Sequence, residues 1–331
     1  MEVYYSLESI KAVLKDIKPS KIVLVSSNYL ISNCQWAISK LIKISPSKIK
    51  LIRIPNGEIA KEWEVLGKLL HEFIKTGLDR KSLVIALGGG SVTDLVGFAS
   101  SIYLRGISYI NIPTTLLAQV DSSIGGKTVI NFLGYKNQIG SFYNPTVVII
   151  DSCFLKTLRK EQIIDGFAEI IKAGLIKDPR ILEIIKSCNA KISQSPLVKE
   201  LIFRSIKVKQ YFIKRDPKDK NIRQILNFGH TVARALELKY GLSHGEAVLI
   251  GMIEELKIAE KLRETKPEVR FFLEKLLNDL DIKVKQLRPD WKYILRDKKI
   301  TGDEINLPVV KKIGEAKIIK VKLDKLISQI R

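Results

Sequence analysis

The stretch Ser82–Leu87 (SLVIAL) runs without a polar break into Gly88-Gly89-Gly90, and Val92–Arg105 then carries apolar residues at helical spacing. An apolar run of strand length, a glycine turn and a helix form one strand–turn–helix unit. Such a unit needs a sheet whose strands are covered on both faces, so the chain is confined to α/β architecture. Glycines at that junction either make a tight turn or let backbone amides approach a pyrophosphate at the helix N-terminus; the position between strand and helix points to the second. Asp94, at the far end of the turn, serves either a cofactor or the helix start.

The same alternation extends to both sides of the turn. Lys21–Ser27, Lys50–Ile54, Tyr109–Ile112 and Thr146–Asp151 read as strands, and Asn28–Ile42 and Ile59–Thr76 as helices. Beyond about residue 155 the period changes: Gln162–Leu175, Arg180–Ser187, Pro196–Arg215, His230–Leu238, His244–Arg263 and Pro267–Asp279 all read as helices, with Lys317–Val321 as a late strand. The pattern predicts an α/β N-terminal, Rossmann-like NAD-binding domain over residues 1–155. A mostly α-helical C-terminal domain over 156–331 would follow, with ligands expected where the two meet.

A formal net charge of +21 admits a nucleic-acid partner on electrostatic grounds. The lysines, however, are spread among Ile, Leu and acidic residues, and no basic–aromatic module interrupts them, so no nucleic-acid partner is expected. No apolar run reaches membrane length, and no membrane association is expected. The opening MEVYYSLESIKAVLKDIK has no apolar export core, and Cys34, Cys153 and Cys188 form neither a disulfide framework nor a zinc spacing, so a cytoplasmic location is expected.

Two further stretches carry chemistry. Pro113–Thr128 (PTTLLAQVDSSIGGKT) packs Thr, Asp, Ser, Gly and Lys after a strand, and its GGKT ending is not a P-loop, because Asp121 stands where the first glycine would be needed. Lys127, and Lys136-Asn137 beyond it, are either phosphate donors or members of a solvated loop. Asn56-Gly57-Glu58 with Lys61 is, taken alone, a turn. The chain has three histidines, and two of them, in NFGHT (Asn227–Thr231) and SHGE (Ser243–Glu246), fall at helix starts. Together with Glu169 of GFAEIIK (Gly166–Lys172) they have the composition of a three-ligand zinc site with open positions. The Glu169/Lys172 spacing is equally that of a helical ion pair.

In order and spacing, the runs YLRG, IPTTLLAQVDSSIGGKT, YKN, IGSFYNP, GFAEIIKAGLI, R-x-x-x-N-x-G-H-T and HGEAV resemble the 3-dehydroquinate synthase family over about residues 55–315. The resemblance implies Zn²⁺, with Co²⁺ as an alternative, on Glu169, His230 and His244. It implies NAD along Gly88, Gly89 and Gly90, with Glu58 and Lys61 towards the adenosine and Asp94, Thr114, Thr115, Asp121, Lys127, Lys136 and Thr157 along the remaining path. The substrate phosphate would meet Lys127, Asn137, Asn227, Lys298 and, from the second subunit of a homodimer, Arg105. The substrate carboxylate would meet Lys209 and Arg223, and Lys172 would reach the site.

The reaction implied is the conversion of 3-deoxy-D-arabino-heptulosonate 7-phosphate to 3-dehydroquinate in the shikimate pathway. A metal-polarised hydroxyl gives hydride to NAD⁺, phosphate leaves by taking the adjacent proton itself, the hydride returns, and an intramolecular aldol reaction closes the ring. One position departs from the family pattern. The family has a second histidine four residues after the helix-start ligand, whereas this chain has Arg234. Arginine cannot shuttle a proton near neutral pH, but it binds phosphate bidentately. Arg234 is therefore expected to clamp phosphate, unless it turns to pair with Glu237. The competing readings are a polyol-phosphate or iron-type alcohol dehydrogenase, which shares a glycine loop of this kind, and a cyclase making an inosose or valiolone, which needs no carboxylate clamp.

Overall fold

The computed structural model describes residues 1–45, 48–187, 196–290, 292 and 300–330. The chain divides into two compact units, Met1–Thr157 and Leu158–Arg331.

The first unit is built on a parallel sheet of six strands: β1 (Glu2–Tyr4), β2 (Ile22–Ser27), β3 (Ile49–Ile54), β4 (Leu83–Gly88), β5 (Ser108–Pro113) and β8 (Val147–Ile149). The remaining strands, β6 (Lys127–Phe132) and β7 (Tyr135–Phe142), form a separate antiparallel hairpin. Across the sheet the order is β1-β8-β5-β4-β2-β3, every neighbouring pair being parallel. The chain moves outward from β2 to β3 and then returns to the other side of β2, so strand order reverses between β2 and β4, beside the glycine turn that follows β4. Strands β2 and β4 are buried along their whole length, as both faces of such a sheet require. One face packs on α1 (Ile10–Ile17), α2 (Asn28–Asn33) and α3 (Gln35–Ile44), the other on α4 (Trp63–Thr76) and α5 (Gly90–Ile102).

Sequence and structure differ at several element ends. Asn28–Ile42 is broken into two helices at Cys34, whose φ/ψ of −123°/39° is not helical. The helix expected from Ile59 starts at Trp63, after a tight turn at Gly57–Lys61, and stops at Gly77, whose left-handed backbone ends it. The helix expected to reach Arg105 stops at Ile102, because Leu104 and Arg105 both have positive φ, 50° and 65°. The polar run after Pro113 forms a wide helical turn at Ala118–Ser122 and then the β6–β7 hairpin.

The second unit is mostly helical: α6 (Lys160–Ile176), α7 (Pro179–Ser187), α8 (Val198–Arg215), α9 (His230–Tyr240), α10 (His244–Lys261) and α11 (Pro267–Asp279). After them come β9 (Ile300–Thr301), β10 (Glu304–Lys312), β11 (Glu315–Lys322) and α12 (Leu323–Ile330), the strands forming one antiparallel sheet. Helix α6 is its centre: every residue from Gly166 to Ile176 is buried, and α7, α8 and α10 pack on it. No helix among the described residues is long and apolar enough to cross a membrane.

Candidate active site

In the second unit, three side chains converge from three helices. Helices α9 and α10 are joined by residues 241–243 alone, with Gly241 ending the first in a left-handed turn and Ser243 and Glu246 forming a capping box on the second. His230 and His244 are the first residues of these two helices, and their rings lie 5.4 Å apart. Glu169 comes from the buried stretch of α6. Its Oε1 lies 3.4 Å from His230 Nε2 and 3.3 Å from His244 Nε2, while its Oε2 is paired with Lys172. One donor atom from each of Glu169, His230 and His244 lies within 4.8 Å of the others.

The surroundings fit a divalent cation. His230 Nδ1 lies 3.2 Å from the Phe228 carbonyl and His244 Nδ1 lies 3.1 Å from Glu237 Oε1, so both rings present Nε2 to the same carboxylate oxygen. Acceptors on the far ring nitrogen set the tautomer and orientation that a metal-binding imidazole needs. Burial opposes ionisation of Glu169, but Lys172, His230 and His244 outweigh it and hold the carboxyl well below its usual range. Burial, with Lys172 beside it, holds His230 well below the usual histidine value and therefore neutral. For His244 burial acts downward too, but hydrogen bonds to Glu169 and Glu237 prevail and raise it to about 10. Glu169 is thus ionised and His230 neutral, as metal ligands must be, whereas His244 holds between two carboxylates a proton that a bound metal would displace.

Three cations of the same unit, Lys172, Lys209 and Arg223, are buried at 3%, 8% and 2% exposure, the first paired with Glu169. They stand on α6, on α8 and on a turn at Ile222–Asn227 that packs against both helices. Asp216 shapes that turn, accepting the backbone N–H groups of Lys220, Asn221 and Arg223 at 3.0, 2.6 and 3.2 Å. Asn227 ends the same turn, half-buried. Arg234, one helical turn beyond His230, is exposed, and its charge also lowers the proton affinity of His230. Lys298 lies outside the described residues.

In the first unit, Gly89 precedes α5 and Gly90 opens it, with no side-chain cap on the helix start. Thr114 N–H donates to the Gly88 carbonyl at 3.0 Å. A Cβ on Gly89 would meet Thr115 Cγ2 at 3.0 Å, and one on Gly90 would meet Ser122 Oγ at 2.9 Å. Ser122 Oγ is buried and has no hydrogen-bond partner among the described residues, so a polar atom faces the glycine turn from one side. Such a cradle, with bare backbone, a free helix start and an unsatisfied hydroxyl, fits the phosphates of a dinucleotide.

The other residues expected along the cofactor path are only partly gathered. Lys61 is buried and ion-paired with Asp94 at 2.8 Å; it also donates to Asn137 and lies 3.8 Å from Glu58. Asn137 has a left-handed backbone, φ 55°, and its N–H donates to Asn131, which in turn donates to Glu58 at 3.0 Å. Asp121 lies in the turn that brings Ser122 to Gly90. Lys127 and Lys136 are exposed on the hairpin, Arg105 is exposed beyond α5, and Thr157 donates to the Phe154 carbonyl at 2.9 Å. Sequence reading passed over four residues as site residues: Ser122 beside Gly90, Asn131 in the Lys61 network, Glu237 on His244, and Glu255, whose carboxylate accepts the Gly229 and Thr231 N–H groups on either side of His230. Of these, Glu255 had the clearest signal, a carboxylate in the apolar run VLIGMIEEL.

Residues 51–165 match the N-terminal and residues 166–300 the C-terminal part of the 3-dehydroquinate synthase family. The 3-dehydroquinate synthase of Sulfurisphaera tokodaii is 37% identical over 95% of this chain and 91% of its own length. That of Clostridium kluyveri is 40% identical over 83% and 79%. Among solved structures, 2-deoxy-scyllo-inosose synthase complexed with carbaglucose-6-phosphate, NAD⁺ and Co²⁺ superposes with a TM-score of 0.86 at 25% identity, covering 100% of this chain and 95% of that one. An α/β unit with a glycine turn, followed by a helical unit with a Glu/His/His cluster, places the chain in the class of sugar-phosphate cyclases. Within that class the extent of the sequence match decides the matter: the chain belongs to the 3-dehydroquinate synthase family.

Proposed function

We propose that this chain converts 3-deoxy-D-arabino-heptulosonate 7-phosphate to 3-dehydroquinate and phosphate, the reaction of its family in the shikimate pathway. The observation that carries the reading is the convergence of Glu169, His230 and His244 in a chain that matches the family from residue 51 to residue 300. Bound NAD supplies a hydride acceptor that returns its hydride within the turnover, and bound Zn²⁺ or Co²⁺ supplies Lewis acidity to substrate hydroxyls.

The chain's own residues have distinct tasks. Glu169 Oε1, His230 Nε2 and His244 Nε2 hold the metal, while Lys172 occupies the second oxygen of Glu169 and keeps it from turning. Gly88, Gly89 and Gly90 admit the NAD pyrophosphate, with Glu58 and Lys61 towards the adenosine; Asp94, Thr114, Thr115, Asp121, Lys127, Lys136 and Thr157 line the remaining path. Lys209 and Arg223, both buried, bind the substrate carboxylate, a group that a plain hexose phosphate lacks. Lys127, Asn137, Asn227, Arg234 and Lys298 bind the phosphate, together with the partner subunit's Arg105 in a homodimer. None of these side chains is a carboxylate or imidazole that could serve as a general base, so the phosphate itself accepts the proton in the elimination. The protein works in the cytoplasm on a small sugar phosphate.

Supplying the heptulosonate phosphate with catalytic NAD⁺ and Zn²⁺ tests the proposal, with phosphate and 3-dehydroquinate followed together. Equal yields of both are expected. Phosphate release without 3-dehydroquinate refutes it, and turnover of a carboxylate-free hexose 6-phosphate in its place would favour an inosose-forming cyclase.

A further inference from the structure

We propose that Glu255 is a positioning residue for the metal centre, fixing His230 from helix α10 through the backbone on either side of it. The inference rests on the reading of Glu169, His230 and His244 as metal ligands. Glu255 is 1% exposed, within α10 and well past its first residue His244. Its Oε2 accepts the Gly229 N–H at 2.8 Å, and its Oε1 accepts the Thr231 N–H at 2.9 Å and the Val232 N–H at 3.3 Å. His230 stands between the first two of these donors, so one carboxylate grips the chain immediately before and after the ligand.

The local sequence explains why an outside carboxylate is used. The first N–H groups of a helix have no partner within it and are ordinarily satisfied by the side chain of the residue before the helix. Here that residue is Gly229, at φ 83°, which has no side chain to offer. No larger residue fits: a Cβ on Gly229 would meet Met252 Cγ at 2.6 Å, and one on Gly251 would meet the Gly229 carbonyl at 2.1 Å. Helices α9 and α10 therefore touch at backbone distance, and the cap comes from α10. The same backbone sets the ring, because His230 Nδ1 lies against the carbonyl of Phe228, the residue before Gly229. Since α10 also begins with His244, Glu255 locks the two histidine-bearing helices into one register.

A helix cap that served stability alone would, when weakened, lower the unfolding temperature and leave the metal's surroundings untouched. A positioning role changes the metal site itself. Glu255→Gln keeps the shape but turns an NH₂ group onto a backbone N–H, and Glu255→Asp keeps the charge on a side chain one carbon shorter. The test loads wild type, both variants and His230→Ala with Co²⁺ and measures Co²⁺ affinity by competition and the visible spectrum of the bound ion. The expected result is affinity about 10–100-fold weaker in Glu255→Gln, an altered spectrum, and a smaller change of the same kind in Glu255→Asp. If His230→Ala abolishes binding while both Glu255 variants retain wild-type affinity and spectrum, the proposal is overturned. Should Glu255→Gln fail to fold, Glu255→Asp decides by the same readout. If His230→Ala binds Co²⁺ as well as wild type, the metal centre itself has been misassigned.

Discussion

Glu237 Oε1 lies 3.1 Å from His244 Nδ1, and Glu237 stands on the helix that begins with His230. The second histidine is thus oriented by the helix that carries the first, and Glu237 is engaged with His244 rather than being simply a surface partner for Arg234. Replacing Glu237 by Gln preserves an acceptor but removes the charge. Metal affinity is expected to fall about tenfold or more, measured by competition with a chelating dye. Unchanged affinity would show that the contact does not tune the ligand.

Metal removal should abolish turnover. A chelator is expected to inactivate wild type, and Zn²⁺ or Co²⁺ to restore it. Glu169→Gln, His230→Ala and His244→Ala should stay at least about 100-fold below wild type whatever metal is supplied. A variant that recovers full activity would remove its residue from the ligand set.

The glycine turn gives a separable prediction. Gly89→Ala puts a Cβ 3.0 Å from Thr115 Cγ2, and the neighbour must yield or the turn must open. Overpacking of this kind costs about 1–3 kcal/mol, which corresponds to a KM for NAD⁺ raised about 5–150-fold. Metal affinity should be unaffected, because the turn and the metal ligands lie in different units. A normal KM for NAD⁺ would argue that the turn does not hold the cofactor.

Arg234 is tested by two replacements. If it clamps phosphate, Arg234→Ala should raise the KM for the sugar phosphate about tenfold or more, the scale of a lost charge-assisted hydrogen bond. Arg234→His should recover most of that loss. Alanine kinetics equal to wild type in both kcat and KM would end the clamp interpretation.

Asp216 predicts a pH dependence of stability. Burial pushes its carboxyl up, but three backbone N–H donors and Arg223 outweigh this and hold it below the usual value. A depressed carboxyl stabilises the fold above its unfolded pKa of about 4 and loses that contribution as pH falls through the folded value. The difference in unfolding temperature between wild type and Asp216→Asn should therefore be full above about pH 5 and shrink below about pH 4. A pH-independent difference would mean that Asp216 acts through shape alone.

The parallel sheet was legible because β2 and β4 are buried on both faces and so read as unbroken apolar runs. The β6–β7 hairpin was not: both sides of Tyr135–Phe142 are largely exposed, so no apolar alternation marks it as a strand. The end of α5 depends on left-handed backbone at Leu104 and Arg105, residues whose identity does not announce it. The two histidines and Glu169 could be singled out by their neighbours and helix positions. Glu237 could not, since its work lies in which atom it faces rather than in its spacing, and Glu255 showed only as a carboxylate in an apolar run, with no sign of what it holds. Glu255 shares a helix face with Val248 and Met252, and only packing on α9 distinguishes its carboxylate from an ordinary helical glutamate.

The ion pair between Lys172 and Glu169 also bears on the life of the protein between metal ions. A buried carboxylate deprived of its cation would ordinarily be an uncompensated charge, costly enough to unfold a small metallodomain. Here Oε2 is held by a buried lysine of the same helix, so the carboxylate proposed as a metal ligand keeps a counter-ion of its own. A chelated sample is therefore expected to keep its helical circular dichroism and to regain activity when metal is added back, as exchangeable equipment would rather than a structural rivet.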